Sequence, residues 1–446
     1  MKPKPIEIPS DGAYILHNAR VPLSILSSKT FAQLNTQPDH EGVVRVSISV
    51  GNDGVISDVS PLRAGATYSD KPMVDCNGKL VWIRLSDAHT HLDKTQTWAD
   101  APNLDGSAEG AKDAAKSLRK APWSLDQVYA RMDFGVRSAL HHGTRALRTH
   151  IDSQPGRTYP TWDAFSQLRK SYKNTIELQA VATLGASKLH GEYGNEVAKL
   201  AADHGAALGP VVYQTDTMRS DVERVFDLAE RYSLSLDFHV DKTLDPNSSG
   251  LEAIAEEAVR RSWEGTVLCG HCCSLAQKDD DALKRAIDLV AASPIGIVVL
   301  PTTATYSMDR KAGRTPRKRG LAPFLELERA GVPIAFATDN SRDSFYPYGD
   351  YDLIELFRDA ARFGHADLQP GAWARSISSV PSKMMGLSAG DGIKPGVPAD
   401  LILFEGRSFS ELFARPGAKR KIIHKGRTVS FELPDFSELD ALEPCS

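Results

Sequence analysis

The sequence predicts an α/β protein: a (β/α)8 TIM barrel with a small β-sandwich domain formed by both chain ends. Three observations carry that expectation. Eight short apolar runs alternate with amphipathic helical stretches, both termini have strand texture, and 446 residues suffice for one large domain beside a smaller one. The expected division is residues 1–85 for the N-terminal part of the β-domain, 86–388 for the barrel and 389–446 for the C-terminal part.

The first eighty-odd residues read as strands. Val43 to Val50 alternates apolar and polar, Asn52-Asp53-Gly54 signals a turn, and Val55 to Val59 resumes the alternation. From about Ser86 the texture changes. The runs are Leu85 to His89, Thr144 to His150, Ile176 to Ala182, Pro210 to Tyr213, Leu234 to His239, Thr266 to His271, Ile295 to Leu300 and Pro333 to Asp339. Helices are expected between them, most clearly at Ser220 to Tyr232, Gly250 to Trp263 and Asp279 to Ala292. A doubly wound open sheet would show the same alternation, so the count of eight is what favours a barrel. After Asp339 come two more helical stretches, then a strand at Ala399 to Phe404 and a hairpin at Ile422 to Val429.

Composition narrows the function. Hydrophobic content of 41% and charged content of 25% suit a soluble globular chain, and the net charge of −4 argues against a nucleic-acid partner. No apolar stretch approaches the roughly 18 residues of a membrane span, and Met1 to Ile8 does not read as a signal peptide. The five cysteines are odd in number and scattered, and Cys272 and Cys273 are adjacent and cannot easily bridge each other, so a reduced, cytoplasmic protein is expected. The basic stretch Arg310, Lys311, Arg314, Arg317, Lys318 and Arg319 reads as a solvated loop rather than an anion clamp.

Chemistry-bearing residues end the strand-like runs. Run one closes in Asp87-Ala88-His89-Thr90-His91, run five in His239, run six in His271 and run eight in Asp339. Barrel active sites collect at the C-terminal ends of strands, and residues i and i+2 of a strand point the same way, so His89 and His91 can serve one ion. Any one of these histidines alone would read as a structural, hydrogen-bonded residue. The ordered conjunction points to a metal centre. Imidazole and carboxylate donors suit one divalent metal ion, zinc or iron(II), with a position left for water.

The segment Asp87-Ala88-His89-Thr90-His91-Leu92-Asp93-Lys94-Thr95 resembles the amidohydrolase superfamily, in its cytosine-deaminase-like branch. The resemblance continues through Arg148-Thr149-His150-Ile151-Asp152, Asp237-Phe238-His239-Val240-Asp241, Gly270-His271, Ala337-Thr338-Asp339-Asn340 and Ile393-Lys394-Pro395-Gly396. It implies that His89, His91, His239 and Asp339 are metal ligands. It further implies that His271 and Asp339 move protons while water adds to a trigonal carbon and an amine leaves. A small heterocyclic substrate and a homo-oligomer follow from the same resemblance.

The departures limit what is carried over. The branch's glutamate three residues after the strand-five histidine is Lys242 here, its strand-three glutamine is missing from Val181 to Gly185, its second strand-eight acid is Asn340, and its tryptophan is Phe345. Lys242, Asn340 and Phe345 are therefore expected to bind an altered substrate, with pairing to Asp241 or Asp245 as the structural alternative for Lys242. Lys94 completes an HxHxxK spacing similar to that of the N-isopropylammelide isopropylamidohydrolases, and is placed among the catalytic residues, with a salt bridge to Asp93 or Asp152 as its alternative. His150 is expected in a buried network with Arg148 and Asp152, and His141 and His142 at a helix end. Tyr306 and Phe345 are candidates for the pocket wall. Three functions fit: deamination of a nitrogen heterocycle, amidohydrolysis releasing an alkylamine or opening a cyclic amide, and metal binding without turnover.

Overall fold

The computed structural model describes residues 6–62, 71–118, 123–154, 158–387, 392–415, 417 and 419–442. The chain opens with β1 (Tyr14–Pro22), β2 (Val43–Val50), β3 (Ile56–Pro61), β4 (Met73–Asp75) and β5 (Val81–Ile83). The barrel strands are β6 (Leu85–Thr90), β7 (Thr144–Asp152), β8 (Glu177–Thr183), the short pair β9 (Ala207–Leu208) and β10 (Val211–Val212), β11 (Leu236–Val240), β12 (Val267–His271), β13 (Ile295–Val299) and β14 (Ile334–Phe336). β15 (Leu401–Phe404), β16 (Arg420–His424) and β17 (Arg427–Val429) follow.

The barrel strands pair in parallel in the order β14-β13-β12-β11-β9-β8-β7-β6, with β10 also on β11. The first and last strands meet through a bridge between Thr90 and Asp339, which nearly closes the barrel. Every residue of β11, β12 and β13 is buried, because such strands have side chains in the barrel on one face and helices on the other. That is why they read as continuous apolar runs. At the fourth position the structure has a short pair, β9 and β10, separated by Gly209-Pro210, where one run from Pro210 to Tyr213 is expected. Proline has no N–H for the ladder, and a Cβ at Gly209 would lie 2.1 Å from Val181 Cγ1 and 2.3 Å from the Asp237 carbonyl oxygen.

The helices alternate with the strands. Met218–Tyr232 starts two residues before the expected Ser220, whereas Gly250–Arg260 stops three short of Trp263. Asp280–Ala291 is capped by the Asp279 side chain, which accepts from the Ala282 N–H at 2.8 Å.

Two four-stranded sheets lie beside the barrel. One, β3-β2-β1-β4, is wholly N-terminal; the other, β17-β16-β15-β5, recruits β5 from the N-terminal segment. Among the described residues the two ends share a sheet through β5, and they also meet at the Val55–Pro398 and Leu26–Ile393 bridges and where the Tyr14 hydroxyl donates to the Gly426 carbonyl at 2.9 Å. The expected hairpin is present as β16 and β17. Its two-residue turn, Lys425 (φ 48°) and Gly426 (φ 76°), has the left-handed pair that a type I′ connection needs. The expected boundary at 388/389 falls outside the described residues.

Asp352 and Arg420 join the barrel to the second sheet. Arg420 Nη1 and Nη2 donate to the two Asp352 oxygens at 2.9 and 2.6 Å, and Asp352 also caps the helix Leu353–Gly364 through the Ile354 N–H at 3.0 Å. Burial would raise the Asp352 carboxyl, but Arg420, His142 and these hydrogen bonds bring it down to about 2. A carboxyl held below its unfolded value contributes stability that is complete above about pH 4 and lost as pH falls toward 2. Asp352→Asn is therefore expected to cost about 2 kcal/mol at pH 7. Denaturant titrations should show the gap to the unaltered chain narrowing near pH 3; a gap unchanged between pH 7 and 3 would contradict this account.

Candidate active site

His89 lies in β6 and His91 directly follows it, so strand alternation sends both rings into the mouth of the barrel. His239 comes from β11 and Asp339 from just beyond β14. Their donor atoms converge. His239 Nε2 is 3.1 Å from His89 Nε2 and 3.2 Å from His91 Nε2, and Asp339 Oδ1 is 3.6 Å from His89 Nε2 and 3.3 Å from His91 Nε2. Four ligands at about 2.1 Å around one tetrahedral ion would be about 3.4 Å apart. Four of the six separations match that spacing, as a site for one ion requires.

His150 also approaches His89 and His239 closely enough to complete a triad of possible donors. Its Nδ1 pairs with Thr183 Oγ1 at 3.1 Å, its Nε2 faces Asp237 Oδ1 at 3.6 Å, and its ring lies against His89 with centroids 4.0 Å apart. Asp237 in turn receives Arg148 Nη1 at 2.9 Å. His150 therefore backs the His89 ring from below. Its expected network includes Arg148, but through Asp237 and Thr183 rather than Asp152, whose backbone N–H donates to Asp93 at 2.8 Å.

Burial shapes the electrostatics. It pushes His89 down to about 4 and, with help from Lys94, His91 down to about 3; His150, His239 and His271 are also held well below the usual histidine value. The rings are neutral, with lone pairs available for coordination. Burial alone would raise Asp339, yet Lys242, His91, His271 and His89 hold it well below the usual carboxylate range. The Asp339 Oδ2 atom accepts the Thr303 hydroxyl at 2.7 Å, which leaves Oδ1 toward the histidines. His271 stands 5.4 Å from His239 by ring centroid, and neither of its ring nitrogens has a hydrogen-bond partner among the described residues. His271 (φ 76°) and Asp339 (φ 62°) both adopt left-handed backbone, a conformation that costs free energy and concentrates at functional sites.

A cavity of about 530 Å³, within the range of small-molecule sites, reaches this cluster at His91 and His239, whereas His89, His271 and Asp339 do not line it. His91, His239, Lys94, Lys242, Asn340 and Phe345 line it, so the expected substrate-side residues come together there. Lys94 Nζ and Lys242 Nζ lie over the Phe345 ring, 5.8 and 5.1 Å from its centroid. Asp241, the alternative partner for Lys242, accepts the Gly250 and Leu251 N–H groups at 3.1 and 3.0 Å and so caps the following helix. Tyr306 is not among the residues lining this cavity; its ring packs with Tyr346 and Tyr348 and under Arg310. In the basic loop, Asp309 accepts from Arg314 and from the Arg317 and Lys318 backbones. His141 and His142 do more than end a helix: they bond the Phe431 carbonyl at 2.7 Å and Asp350 at 2.9 Å.

Sequence reasoning missed several wall residues. Gln154 and Gln214 line the cavity from loops after the second and fourth strand positions. Gln214 Oε1 accepts the Ser249 N–H at 3.1 Å. Asp343 lies behind the wall, bonded to Asn340. No periodicity marks such loop positions; only the third-residue offset of Asp343 from Asn340 hints at a local turn.

The amidohydrolase family model matches residues 174–430, more than half of the chain. A pterin deaminase of Rhizobium rhizogenes is 38% identical over 435 residues, spanning 97% of this chain and 98% of its own length. An N-isopropylammelide isopropyl amidohydrolase of a Pseudomonas species is 22% identical over 396 residues, spanning 85% and 94%. Among solved structures, a 5-methylcytosine deaminase from Klebsiella pneumoniae liganded with 5-fluorocytosine superposes with a TM-score of 0.78 at 25% identity, over 94% of this chain and 97% of that one. An end-to-end likeness to a deaminase at this identity, on a barrel that gathers its imidazoles at the expected mouth, leaves one conclusion: the chain belongs to the amidohydrolase family and is a hydrolase acting on carbon–nitrogen bonds.

Proposed function

We propose that this enzyme deaminates a 2-amino-4-oxo nitrogen heterocycle of the pterin class, water replacing the exocyclic amine to give the dioxo ring and ammonia. The observation that carries the reading is the gathering of four donor atoms, with four of their six separations at 3.1–3.6 Å, and of these residues His91 and His239 line a cavity sized for a small heterocycle. The substrate class is supported by the 38% identity to a pterin deaminase.

In this reading His89, His91, His239 and Asp339 hold one divalent ion, zinc or iron(II), which supplies hydrolytic water of near-neutral pKa. His271, whose ring nitrogens are unpartnered among the described residues, accepts a hydrogen bond from that water or carries its proton. Asp339, aimed by the Thr303 hydroxyl, would take a proton on its carboxylate and return it to the departing amine. Lys94 and Lys242 offer positive charge to the ring as electron density shifts onto its heteroatoms. Lys242 thus replaces a proton-exchanging carboxylate by a donor. Buried, free thiols at Cys76, Cys269, Cys272 and Cys273 suit a reducing cytoplasm, and a homo-oligomer belongs to the same reading. No helix among the described residues is long and apolar enough to cross a membrane.

A second reading, release of an alkylamine from a triazine, is favoured by Lys94 three residues after His91. The leaving group separates the two. Metal-loaded enzyme offered pterin, cytosine and N-isopropylammelide should release ammonia from pterin; isopropylamine from the triazine with no ammonia from pterin would overturn the first reading. His271→Ala should keep one ion per chain while kcat falls about 10²–10⁴-fold; full activity in that variant would remove His271 from proton transfer. Gly270→Ala tests the imidazole cluster. Its new methyl would lie 3.0 Å from His89 Cε1 and 3.1 Å from Nδ1, so metal content by elemental analysis should drop with an unchanged circular dichroism spectrum. Undiminished metal content would show that His89 is not held by the ion at this position.

A further inference from the structure

Asn340 is buried, and its amide is not free to choose which end it shows the substrate. Its Nδ2 donates to Asp343 Oδ2 at 2.6 Å. Asp343 is 1% exposed and its other oxygen, Oδ1, accepts the Phe345 and Tyr346 N–H groups at 2.9 and 3.1 Å. A carboxylate surrounded by donors can only accept, so Asn340 must donate to it. The Asn340 carbonyl oxygen is thereby left for the cavity, as a hydrogen-bond acceptor of fixed polarity.

The lysines supply the opposite character. An ammonium carries three donors and no acceptor. Lys94 and Lys242 line the same cavity, both against the Phe345 ring, and neither has a carboxylate ion-pair partner among the described residues. Donors and one acceptor beside an aromatic ring are complementary to a lactam edge, in which a carbonyl oxygen sits next to a ring N–H.

We propose that Lys94, Lys242 and Asn340 read the lactam edge of the substrate, its C=O toward the lysines and its N–H toward Asn340 Oδ1, with Asp343 as the positioning residue that fixes the polarity of Asn340. The inference rests on the deaminase reading and deepens it. In a pterin the ring N–H lies between the 4-oxo group and the carbon that loses its amine, so reading this edge also places the reacting carbon. In cytosine the ring nitrogen beside the amine-bearing carbon is bare. It would meet the Asn340 oxygen acceptor to acceptor, which disfavours that ring.

Asp343→Asn is the decisive substitution because it is nearly isosteric. The Phe345 and Tyr346 N–H groups require the oxygen of the new amide, which turns its NH₂ toward Asn340. Asn340 must then accept there and show N–H to the cavity. The expected result is a loss of about 10-fold or more in kcat/KM for pterin, carried mainly by KM, with the cytosine-to-pterin ratio shifting toward cytosine. Asn340→Ala should lower the preference of the unaltered enzyme for pterin over 3-methylpterin, whose ring N–H is blocked, by about 10-fold or more. A merely structural role for Asp343 would depress all rings alike. Efficient deamination of pterin with every ratio unchanged in both variants would overturn the inference and leave the deaminase reading standing. No ammonia from pterin with the unaltered enzyme would sink the deaminase reading itself, and this inference with it.

Discussion

The site depends on how the last barrel strand closes against the first. Asp339 joins His89 and His91 only because its N–H donates to the His89 carbonyl at 2.9 Å. One residue earlier, Thr338 Oγ1 donates to Asp87 Oδ2 at 2.5 Å, and its N–H reaches Asp87 Oδ1 at 3.3 Å. Asp87, fully buried and raised to about 7 by that burial, also accepts the His89 N–H at 3.3 Å. The seam that shuts the barrel and the scaffold that aims three of the four donor side chains are the same few residues. Slackening it would separate groups that approach one another to within 4 Å.

Below the seam, a polar layer supports the rings. Arg148 bridges Asp237 and Gln179, and Gln179 Nε2 continues to the Met385 carbonyl at 3.0 Å. His150 fills the space between this layer and His89. Buried polar groups are costly unless satisfied, and most of this layer is, but His150 Nε2 and Asp237 Oδ1, 3.6 Å apart, have no hydrogen-bond partner among the described residues. Above the seam the chemistry reverses. Lysines, amides and Phe345 face a wide cavity, so the lower half of the mouth is buried while the upper half is open to a ligand.

Much of this was legible in the sequence because it follows from strand periodicity. His89 and His91 share a face by alternation, and β11 to β13 read as apolar runs because both of their faces are buried. Histidines and an aspartate closing separate runs could be placed on one rim without knowing any contact. What stayed hidden lies in loops and in pairing. Nothing in the order of residues shows that β5 leaves its N-terminal neighbours for β15, since three apolar residues suit either sheet. Asp343 carries no periodic signal, and its importance appears only once Asn340 is seen to donate to it. The split of the fourth strand was written in Gly209-Pro210, but its cause, the approach of the Asp237 carbonyl, is tertiary.

The central claim is that a single divalent ion is bound by three imidazoles and one carboxylate at this seam. X-ray absorption at the metal edge of the purified protein tests it most directly. The account predicts one ion per chain, with nitrogen and oxygen neighbours at about 2.0–2.2 Å and an imidazole scattering pattern. A sulfur shell at about 2.3 Å, which would place the ion on cysteines such as Cys272 and Cys273, would contradict it.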